Sequence, residues 1–374
     1  MTKFDCFPLP RLDETLDAFA AATVFSSLDL AMAYHQVPVT PSDVEKTAFI
    51  KHVGLYEMAK MPFGLCNAPS TYQRLMAGVL QGLMVRICLA YLDDVVVFSQ
   101  KCSEHAAHLS AVLDKIRAAG LKLKPSKCSL FCDQTLYLGH VISAAGVSPD
   151  PGKLRVLAEW PVPTTVRKMQ SFLAFINFNG DFIACSKELT APLYDLTAAS
   201  KGEDQIQLNR DKNKAFAEIK RRLCAAPQLA HPDLEKPFVL YTDASTIAVG
   251  AVPLQQDTNG IERPVSFFSK KLSSAQRNYS TFKRECLAVM CALEHFRVYL
   301  LGRKFCLRTD HRALAWLYSK EPKASARISG WLATLTEYSI VIEYVRGAEN
   351  SIADALSRLD SVALDSEVPS DLAK

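Results

Sequence analysis

The stretch Ile87–Ser99, ICLAYLDDVVVFS, places two adjacent carboxylates in the middle of an almost unbroken apolar run. Burying Asp93 and Asp94 as charges without partners would cost about a few kcal/mol or more. The apolar and β-branched residues around them predict two strands joined by a tight turn. Two interpretations stay open at this point: a solvated turn between strands, or a rigid hairpin whose carboxylates bind a cation.

The composition of the 374 residues, 49% hydrophobic and 22% charged, is typical of a globular protein with two or three domains. The N-terminal stretch lacks the apolar core of a signal peptide, and no apolar run approaches the roughly 18 residues that cross a membrane. The eleven cysteines show no disulfide-scaffold spacing. These features predict an intracellular protein, cytoplasmic or nuclear, that is neither secreted nor bound to a membrane.

The formal net charge of +4 is unevenly distributed along the chain. The first 150 residues carry nearly equal numbers of acidic and basic side chains, and the excess of Lys and Arg lies after them. A nucleic-acid partner is therefore indicated for the middle and C-terminal parts. Cys102, His105 and His108 could bind a metal, but no second ligand pair follows at zinc-finger spacing, so no zinc site is predicted.

The pattern of hydrophobic residues changes twice along the chain. Residues 1–148 mix short strands with amphipathic helices, residues 149–232 are mostly helical, and residues 233–359 alternate strands and helices. The acidic and polar tail 360–374 is predicted to be disordered. In the first segment, Asp29 ends a predicted strand. A strand-end Asp that faces a hairpin Asp-Asp pair can hold two divalent cations about 4 Å apart.

Several motifs together resemble the reverse transcriptase of gypsy-type LTR retrotransposons: FSSLDLAMAYHQVPV, MPFGLCNAPSTYQRLM, AYLDDVVVFS and YLGHVIS. Further along, FVLYTDAS, KRECLAVMCALEHF, LRTDHRALAWL and NSIADALSR resemble the ribonuclease H domain that follows it. The resemblance extends to Leu359. It implies a multidomain α+β and α/β fold, in which a right-hand polymerase palm (1–148) and a helical thumb or connection (149–232) precede a ribonuclease H-like mixed-sheet domain (233–359).

By this resemblance, Asp29, Asp93 and Asp94 are the metal-binding residues of an RNA-directed DNA polymerase that acts on primer-template nucleic acid and dNTPs. Tyr34 would exclude the ribose 2′-hydroxyl; without the resemblance it would be read as an ordinary core aromatic residue. Phe63 and Gly64 would line the nucleotide pocket.

The resemblance also implies a second set of catalytic and metal-binding acids, two on predicted strands and two on predicted helices. These are Asp243, Glu285, Asp310 and Asp354. Such a set around two Mg²⁺ ions, with Mn²⁺ as the alternative, would hydrolyse the RNA strand of an RNA/DNA hybrid.

Two departures from the family shape the functional expectation. A fingers segment that grips the triphosphate would precede Pro8, and a chain without it should bind nucleotides poorly. Pro253 falls in a predicted central strand of the ribonuclease H-like sheet, where it would remove a ladder hydrogen bond. Ribonuclease H is thus expected to be the more active of the two functions. The alternative is a catalytically inactive, retroelement-derived remnant that binds nucleic acid.

Overall fold

The structure is a computed structural model that describes residues 3–197, 203–311 and 326–345. It divides between Asp150 and Pro151 into two units with separate internal contacts. Nothing in this division tests the finer boundaries at residues 148, 232 and 359, which remain predictions.

The first unit is built around a four-stranded antiparallel sheet with the order β4-β5-β1-β6. A two-stranded hairpin, β2-β3, and a three-stranded meander, β7-β8-β9, complete its strands. Its elements are α1 (Leu12–Asp17), β1 (Val24–Asp29), β2 (Phe49–Lys51), β3 (Gly54–Tyr56), α2 (Ala68–Val79), β4 (Cys88–Tyr91), β5 (Asp94–Ser99), α3 (Cys102–Ala118), β6 (Ser129–Cys132), β7 (Gln134–Tyr137), β8 (His140–Ser143) and β9 (Gly146–Pro149).

Helices α2 and α3 supply the apolar side chains that cover this sheet. Tyr72 and Met76 of α2, and Val112 of α3, are fully buried in one cluster with Val95 and Val97 of β5. The predicted pair of strands around the two carboxylates is therefore core structure, as its continuous apolar pattern requires.

The second unit begins with helices that pack against a mixed sheet. Its six strands have the order β12-β11-β10-β14-β15, with β13 also paired to β11. Its elements are α4 (Pro151–Ala158), α5 (Val166–Phe178), α6 (Ser186–Tyr194), α7 (Arg210–Cys224), β10 (Val239–Ala244), β11 (Ala248–Gln256), β12 (Glu262–Pro264), β13 (Phe268–Lys271), α8 (Ser274–Arg277), α9 (Thr281–His295), α10 (Arg297–Leu300), β14 (Lys304–Thr309), α11 (Ala326–Leu335) and β15 (Ser339–Tyr344).

The mixed sheet is covered on both faces. Helix α9 packs on one face, where Leu240 and Ala251 join its apolar side chains in a buried cluster. On the other face, Tyr241 and Val252 are buried against Cys185, the residue before α6. Within the described residues, no helix is both long and apolar enough to cross a membrane.

The expectation that Pro253 would disrupt its strand is wrong. Strand β11 runs without interruption, with Pro253 directly opposite Leu240. The Pro253 carbonyl oxygen accepts a 2.9 Å hydrogen bond from the Val265 amide, on the side away from β10. In a strand, the amide and carbonyl of one residue point to the same side, so the missing N–H falls outside the β10–β11 ladder. The Pro253 nitrogen faces the other side of β11, between the stretch that pairs with β13 and the stretch that pairs with β12.

Candidate functional site

The β4–β5 hairpin presents its acids at the end of the first sheet. Tyr91 pairs with Asp94, so Leu92 and Asp93 form a two-residue turn, in which Leu92 has a positive φ of 53°. Asp29, the last residue of β1, lies directly opposite Asp94. Asp93 and Asp94 are exposed while the strands behind them are buried. The hairpin thus buries its apolar residues and leaves its carboxylates accessible, which avoids the cost of unpaired buried charge.

A lysine already neutralises part of this acidic group. Lys127 Nζ lies 3.1 Å from Asp29 Oδ2. Although Asp94 is exposed at the surface, neighbouring protein atoms displace part of the water around its carboxyl, and this desolvation, reinforced by the charges of Asp93 and Asp29, raises its pKa, while Lys127 lowers it. The acids of this group repel one another, and Lys127 offsets part of that repulsion. Ligand oxygens of Asp29, Asp93 and Asp94 do not all lie within 4.8 Å of one another, so the structure does not bring this predicted set together as closely as the second one.

Gln73, which sequence reasoning missed, holds the turn in place. Its side chain is 2% exposed. The Leu92 N–H donates to Gln73 Oε1 at 2.8 Å, and Gln73 Nε2 donates to the Ala90 carbonyl at 3.0 Å. One amide therefore fixes the backbone on the approach to Asp93. The sequence offered only a weak signal for this role, a polar residue that follows an aromatic residue in a predicted amphipathic helix.

Two of the three residues predicted to line a nucleotide pocket, Tyr34 and Phe63, pack against each other. The rings of Tyr34 and Phe63 are 5.3 Å apart, and Phe63 is 66% exposed. Gly64 has a φ of +88°, a conformation that side chains rarely adopt. Burial and then the charge of Asp93 raise the pKa of Tyr34, which places its hydroxyl in the field of the hairpin.

Tyr72 lies beneath this aromatic group and was also missed. Its ring packs edge-on against Tyr34 at 5.6 Å and is fully buried. Its hydroxyl has no hydrogen-bond partner among the described residues. Burial, with Asp93 as the second cause, raises the pKa of this phenol. An unpaired buried hydroxyl is costly, so Tyr72 adds polarity under the predicted pocket at some expense to stability.

The second unit brings three of the predicted acids into one cluster. Ligand oxygens of Asp243, Glu285 and Asp310 all lie within 4.8 Å of one another. Among the described residues, this is the only group of three or more potential metal ligands at such short range. Asp243 is 8% exposed and Glu285 is 4% exposed. Asp354 lies outside the described residues.

The fold explains why these acids meet. Asp243 is the penultimate residue of β10. Asp310 directly follows β14, which runs parallel to β10. Carboxyl ends of parallel strands reach the same edge of a sheet. Glu285 lies in the first turns of α9, which Ser280 caps by accepting a hydrogen bond from the Lys283 amide. The Ala244 amide donates to Asp243 Oδ1 at 2.8 Å and orients that carboxylate.

The electrostatics of this cluster fit a divalent cation. Burial, followed by the charges of Asp243 and Asp310, raises the pKa of Glu285 to about 8. Glu285 Oε2 is buried and has no hydrogen-bond partner among the described residues. Three crowded carboxylates and an unpaired oxygen are unfavourable by themselves, whereas oxygen ligands of this kind suit Mg²⁺ or Mn²⁺.

Comparison with known families agrees with both halves of the chain. Residues 1–142 match the family model of the reverse transcriptase (RNA-dependent DNA polymerase). Residues 233–338 match the RNase H-like domain found in reverse transcriptase. The chain carries the reverse transcriptase and ribonuclease H-like domains of a retroelement Pol polyprotein. The predicted family and fold class are confirmed.

Several curated Pol polyproteins are similar over nearly the whole chain. The Retrovirus-related Pol polyprotein from transposon 297 of Drosophila melanogaster is 38% identical over 95% of this chain. The one from transposon gypsy of the same organism is 33% identical over 99%, and the Tf2-3 polyprotein of Schizosaccharomyces pombe is 33% identical over 96%. The chain spans 33%, 36% and 27% of these proteins, respectively, or about a third of their length.

Solved structures show the same fold. A foamy viral protease-reverse transcriptase in complex with dsDNA aligns over 90% of this chain and 60% of its own, with a TM-score of 0.78. The foamy viral enzyme in complex with an RNA/DNA hybrid aligns over 97% of this chain and 49% of its own, with a TM-score of 0.76. Sequence identity is 20% in both cases, so the likeness concerns the fold alone.

Proposed function

We propose that this chain hydrolyses the RNA strand of RNA/DNA hybrids at the Asp243, Glu285 and Asp310 cluster. The observation that carries this proposal is the approach of three acids within 4.8 Å in a ribonuclease H-like domain. Asp354 is proposed as the fourth acid, because its motif matches the family. RNA/DNA hybrid is proposed as the substrate because a foamy viral relative with the same fold is seen with such a hybrid.

Two divalent cations at such a cluster would supply an activated water and stabilise the departing 3′-oxygen. The chain's own part is to hold the ligands rigidly. Asp243 is fixed by the Ala244 amide, and Glu285 by a capped helix. Because the two acids are almost fully buried, little solvent competes with their charges, which strengthens their attraction for cations.

The test is Mg²⁺-dependent cleavage of an RNA/DNA hybrid with a labelled RNA strand by the full chain. Duplex DNA and duplex RNA of the same sequence serve as substrate controls, and Asp310→Asn as the protein control. We expect cleavage of the hybrid alone and its loss in Asp310→Asn. A folded chain that binds hybrid but does not cleave it would instead support an inactive, nucleic-acid-binding remnant.

RNA-directed DNA synthesis is a second candidate function, favoured by the direct pairing of Asp29 with Asp94 at the hairpin that carries Asp93. Asp29, Asp93 and Asp94 would hold the cations for addition of dNTPs to a primer, with Tyr34, Phe63 and Gly64 around the nucleotide. Primer extension on an RNA template, with Asp93→Asn as control, tests this function. Tyr34→Ala should raise incorporation of ribonucleotides if Tyr34 contacts the sugar.

A further inference from the structure

A buried acid of α6 contacts the chain next to Asp243. Glu188 lies in the first turn of α6 and is 5% exposed. Glutamate is almost never buried to this extent unless it is paired. Its Oε1 accepts a hydrogen bond from the Ser245 hydroxyl at 3.2 Å. Ser245 directly follows β10 and lies two residues after Asp243, so this contact joins α6 to the segment that leaves the acidic cluster.

Ser245 shapes the turn between β10 and β11. Its Oγ accepts from the amides of Ile247 at 3.1 Å and Ala248 at 3.0 Å, which uses both acceptor lone pairs. The one hydroxyl proton lies within reach of the Ala248 carbonyl, at 3.1 Å, and of Glu188. The carbonyl already accepts from the Ser245 amide at 2.9 Å, and an ionised carboxylate is the stronger acceptor. Glu188 is therefore the partner that the geometry favours for this proton.

The peptide group between Asp243 and Ser245 serves two acids of the cluster. The Ala244 amide donates to Asp243 Oδ1 at 2.8 Å. Burial raises the pKa of Glu285, and a hydrogen bond from the same amide acts in the opposite direction. Because Ser245 is the next residue, a rotation of the backbone there would turn the Ala244 amide away from both carboxylates. A group that holds Ser245 in place thus also holds the amide that orients the acids.

The start of α6 is fixed independently of Ser245. Arg222 of α7 donates from a terminal guanidinium nitrogen to the Ala184 carbonyl at 3.2 Å. Cys185, the next residue, is buried in the apolar cluster on this face of the mixed sheet. Its carbonyl accepts from the Glu188 amide at 3.0 Å. The Glu188 carboxylate therefore reaches Ser245 from a backbone that is itself held by packing and hydrogen bonds, as a positioning group requires.

We propose that Glu188 is a positioning residue for RNA cleavage, which acts through Ser245 on the Ala244 amide and so on the geometry of Asp243 and Glu285. This inference rests on the proposed ribonuclease H function. Its loss should raise the Mg²⁺ concentration that cleavage requires and lower kcat, while KM for the hybrid stays unchanged. The ribonuclease H-like domain, matched over residues 233–338, would then depend on a helix that precedes it.

The test compares Glu188→Leu with Glu188→Gln in the full chain, at varied concentrations of RNA/DNA hybrid and Mg²⁺. Glu188→Leu removes the acceptor, and we expect kcat to fall about tenfold, the typical cost of losing a group that orients metal ligands. The Mg²⁺ concentration for half-maximal rate should rise, and KM for the hybrid should not. Glu188→Gln keeps an acceptor oxygen and should remain within about twofold of the wild type. Equal losses in both variants would overturn the proposal.

A double-mutant cycle with Ser245→Ala distinguishes this path from a general loss of packing. Ser245→Ala alone should show the same fall in kcat and the same rise in required Mg²⁺, and it carries the test if Glu188→Leu does not fold. Adding Glu188→Leu to Ser245→Ala should lower kcat by less than about twofold further, because the contact is already lost. Additive losses would overturn the proposal. So would a lower Tm with unchanged kcat and Mg²⁺ requirement, since Glu188 would then be a structural tie alone.

Glu294→Leu is the matched control. Glu294 is an exposed acid of α9, nine residues after Glu285 and therefore about 14 Å away along the helix axis. The same change of charge and size at this position should leave kcat and the Mg²⁺ requirement at their wild-type values. A loss equal to that of Glu188→Leu would assign the effect to net charge and overturn the proposal.

A binding measurement separates failure of this inference from failure of the proposed function. Mn²⁺ binding to the full chain is measured by electron paramagnetic resonance without nucleic acid, in an Asp93→Asn background that weakens binding at the hairpin. Even if the chain cleaves nothing, Glu188→Leu should weaken Mn²⁺ binding about tenfold, and it should have no effect once Asp310→Asn has removed a ligand. Unchanged Mn²⁺ affinity in Glu188→Leu contradicts the proposal while hydrolysis at the cluster still stands.

Discussion

The two acidic sites of this chain use the same residue types in opposite environments. In the first unit, Asp93 and Asp94 are exposed on a hairpin, and Asp29 is paired with Lys127 at 3.1 Å. In the second unit, Asp243 and Glu285 are nearly inaccessible to solvent, and their oxygens lie within 4.8 Å of each other and of Asp310.

The difference bears on which site is the stronger candidate for binding a cation. Crowding three carboxylates in a buried cluster is unfavourable without a compensating charge, which supports the cation site proposed above. The hairpin avoids that cost by exposure and by recruiting Lys127 as an internal counter-ion. We therefore expect mutations in the two sites to affect stability in opposite directions.

The largest effect is expected for Glu285→Gln. RNA cleavage should fall roughly a hundredfold or more, because a metal ligand is lost. The free energy of unfolding should rise by about 1–2 kcal/mol at pH 8 without metal, since the buried negative charge disappears. Denaturation curves at pH 5 and pH 8 check the second point. The pKa of Glu285 is about 8 in the folded state and 4.5 in the reference state, so the wild type loses stability as the pH rises above about 4.5. The stabilisation of Glu285→Gln relative to the wild type should therefore be small at pH 5.

A loss of stability in Glu285→Gln at pH 8, measured without divalent ions, would contradict this comparison. It would mean that the cluster is held together by hydrogen bonds of its protonated form.

Gln73→Leu should destabilise the first unit by about 1–3 kcal/mol, because it leaves the Leu92 amide and the Ala90 carbonyl unpaired in a buried setting. Chemical denaturation measures the change. Primer extension by the variant should fall further than stability explains if the turn must hold Asp93 in place. Gln81→Leu, at an exposed position shortly after the same helix, should be near neutral. Equal effects of the two substitutions would argue against a specific role of the Gln73 side chain in holding the turn.

Acid should weaken the first unit through His105. This residue is 0% exposed, and its ring nitrogens lie 2.7 Å from Ser26 Oγ and 2.8 Å from Ser99 Oγ. Burial, and then His108, lowers its pKa in the folded state. Its contribution is therefore constant above about pH 6.5, and stability is lost below that value at up to about 1.4 kcal/mol per pH unit.

Unfolding of the wild type and of His105→Gln between pH 5 and pH 7.5 checks this dependence. The variant should be less stable at pH 7.5 but should show a shallower decline towards pH 5. Parallel curves would assign the acid sensitivity to other groups.

The smallest effects are expected for Lys127→Gln and Pro253→Val. The Lys127–Asp29 pair is partly exposed, so its loss should cost less than about 1 kcal/mol, and less still at high salt.

Pro253→Val should change stability by no more than about 1 kcal/mol and leave hybrid cleavage unchanged, because the ladder with β10 lacks no bond in the wild type. A marked gain of cleavage in Pro253→Val would show that the proline does impair the domain.

Sequence alone predicted the strands around Asp93 and Asp94, because apolar periodicity and turn position are local signals. It left open whether the turn is merely solvated or presents its acids to a cation, since that depends on which other charged groups the rest of the sheet brings to the turn. The meeting of Asp243, Glu285 and Asp310 followed from motif resemblance. Periodicity could not have placed three distant segments at one sheet edge.

Three features were beyond reach of the sequence for physical reasons. Gln73 and Tyr72 act through contacts with segments about twenty to forty residues away. Pro253 was misjudged because its effect depends on which side of the strand its nitrogen faces, and this register is set by pairing with β10 and with Val265.

The most direct test of the account is the single-turnover rate of RNA cleavage by Asp310→Asn relative to Asp29→Asn, measured with the full chain on one RNA/DNA hybrid in Mg²⁺. Both substitutions remove one acid charge at nearly constant size. The account predicts that Asp310→Asn loses cleavage roughly a hundredfold or more while Asp29→Asn cleaves at the wild-type rate. Equal rates in the two variants, or loss of cleavage in Asp29→Asn alone, would contradict the assignment of hydrolysis to the buried cluster.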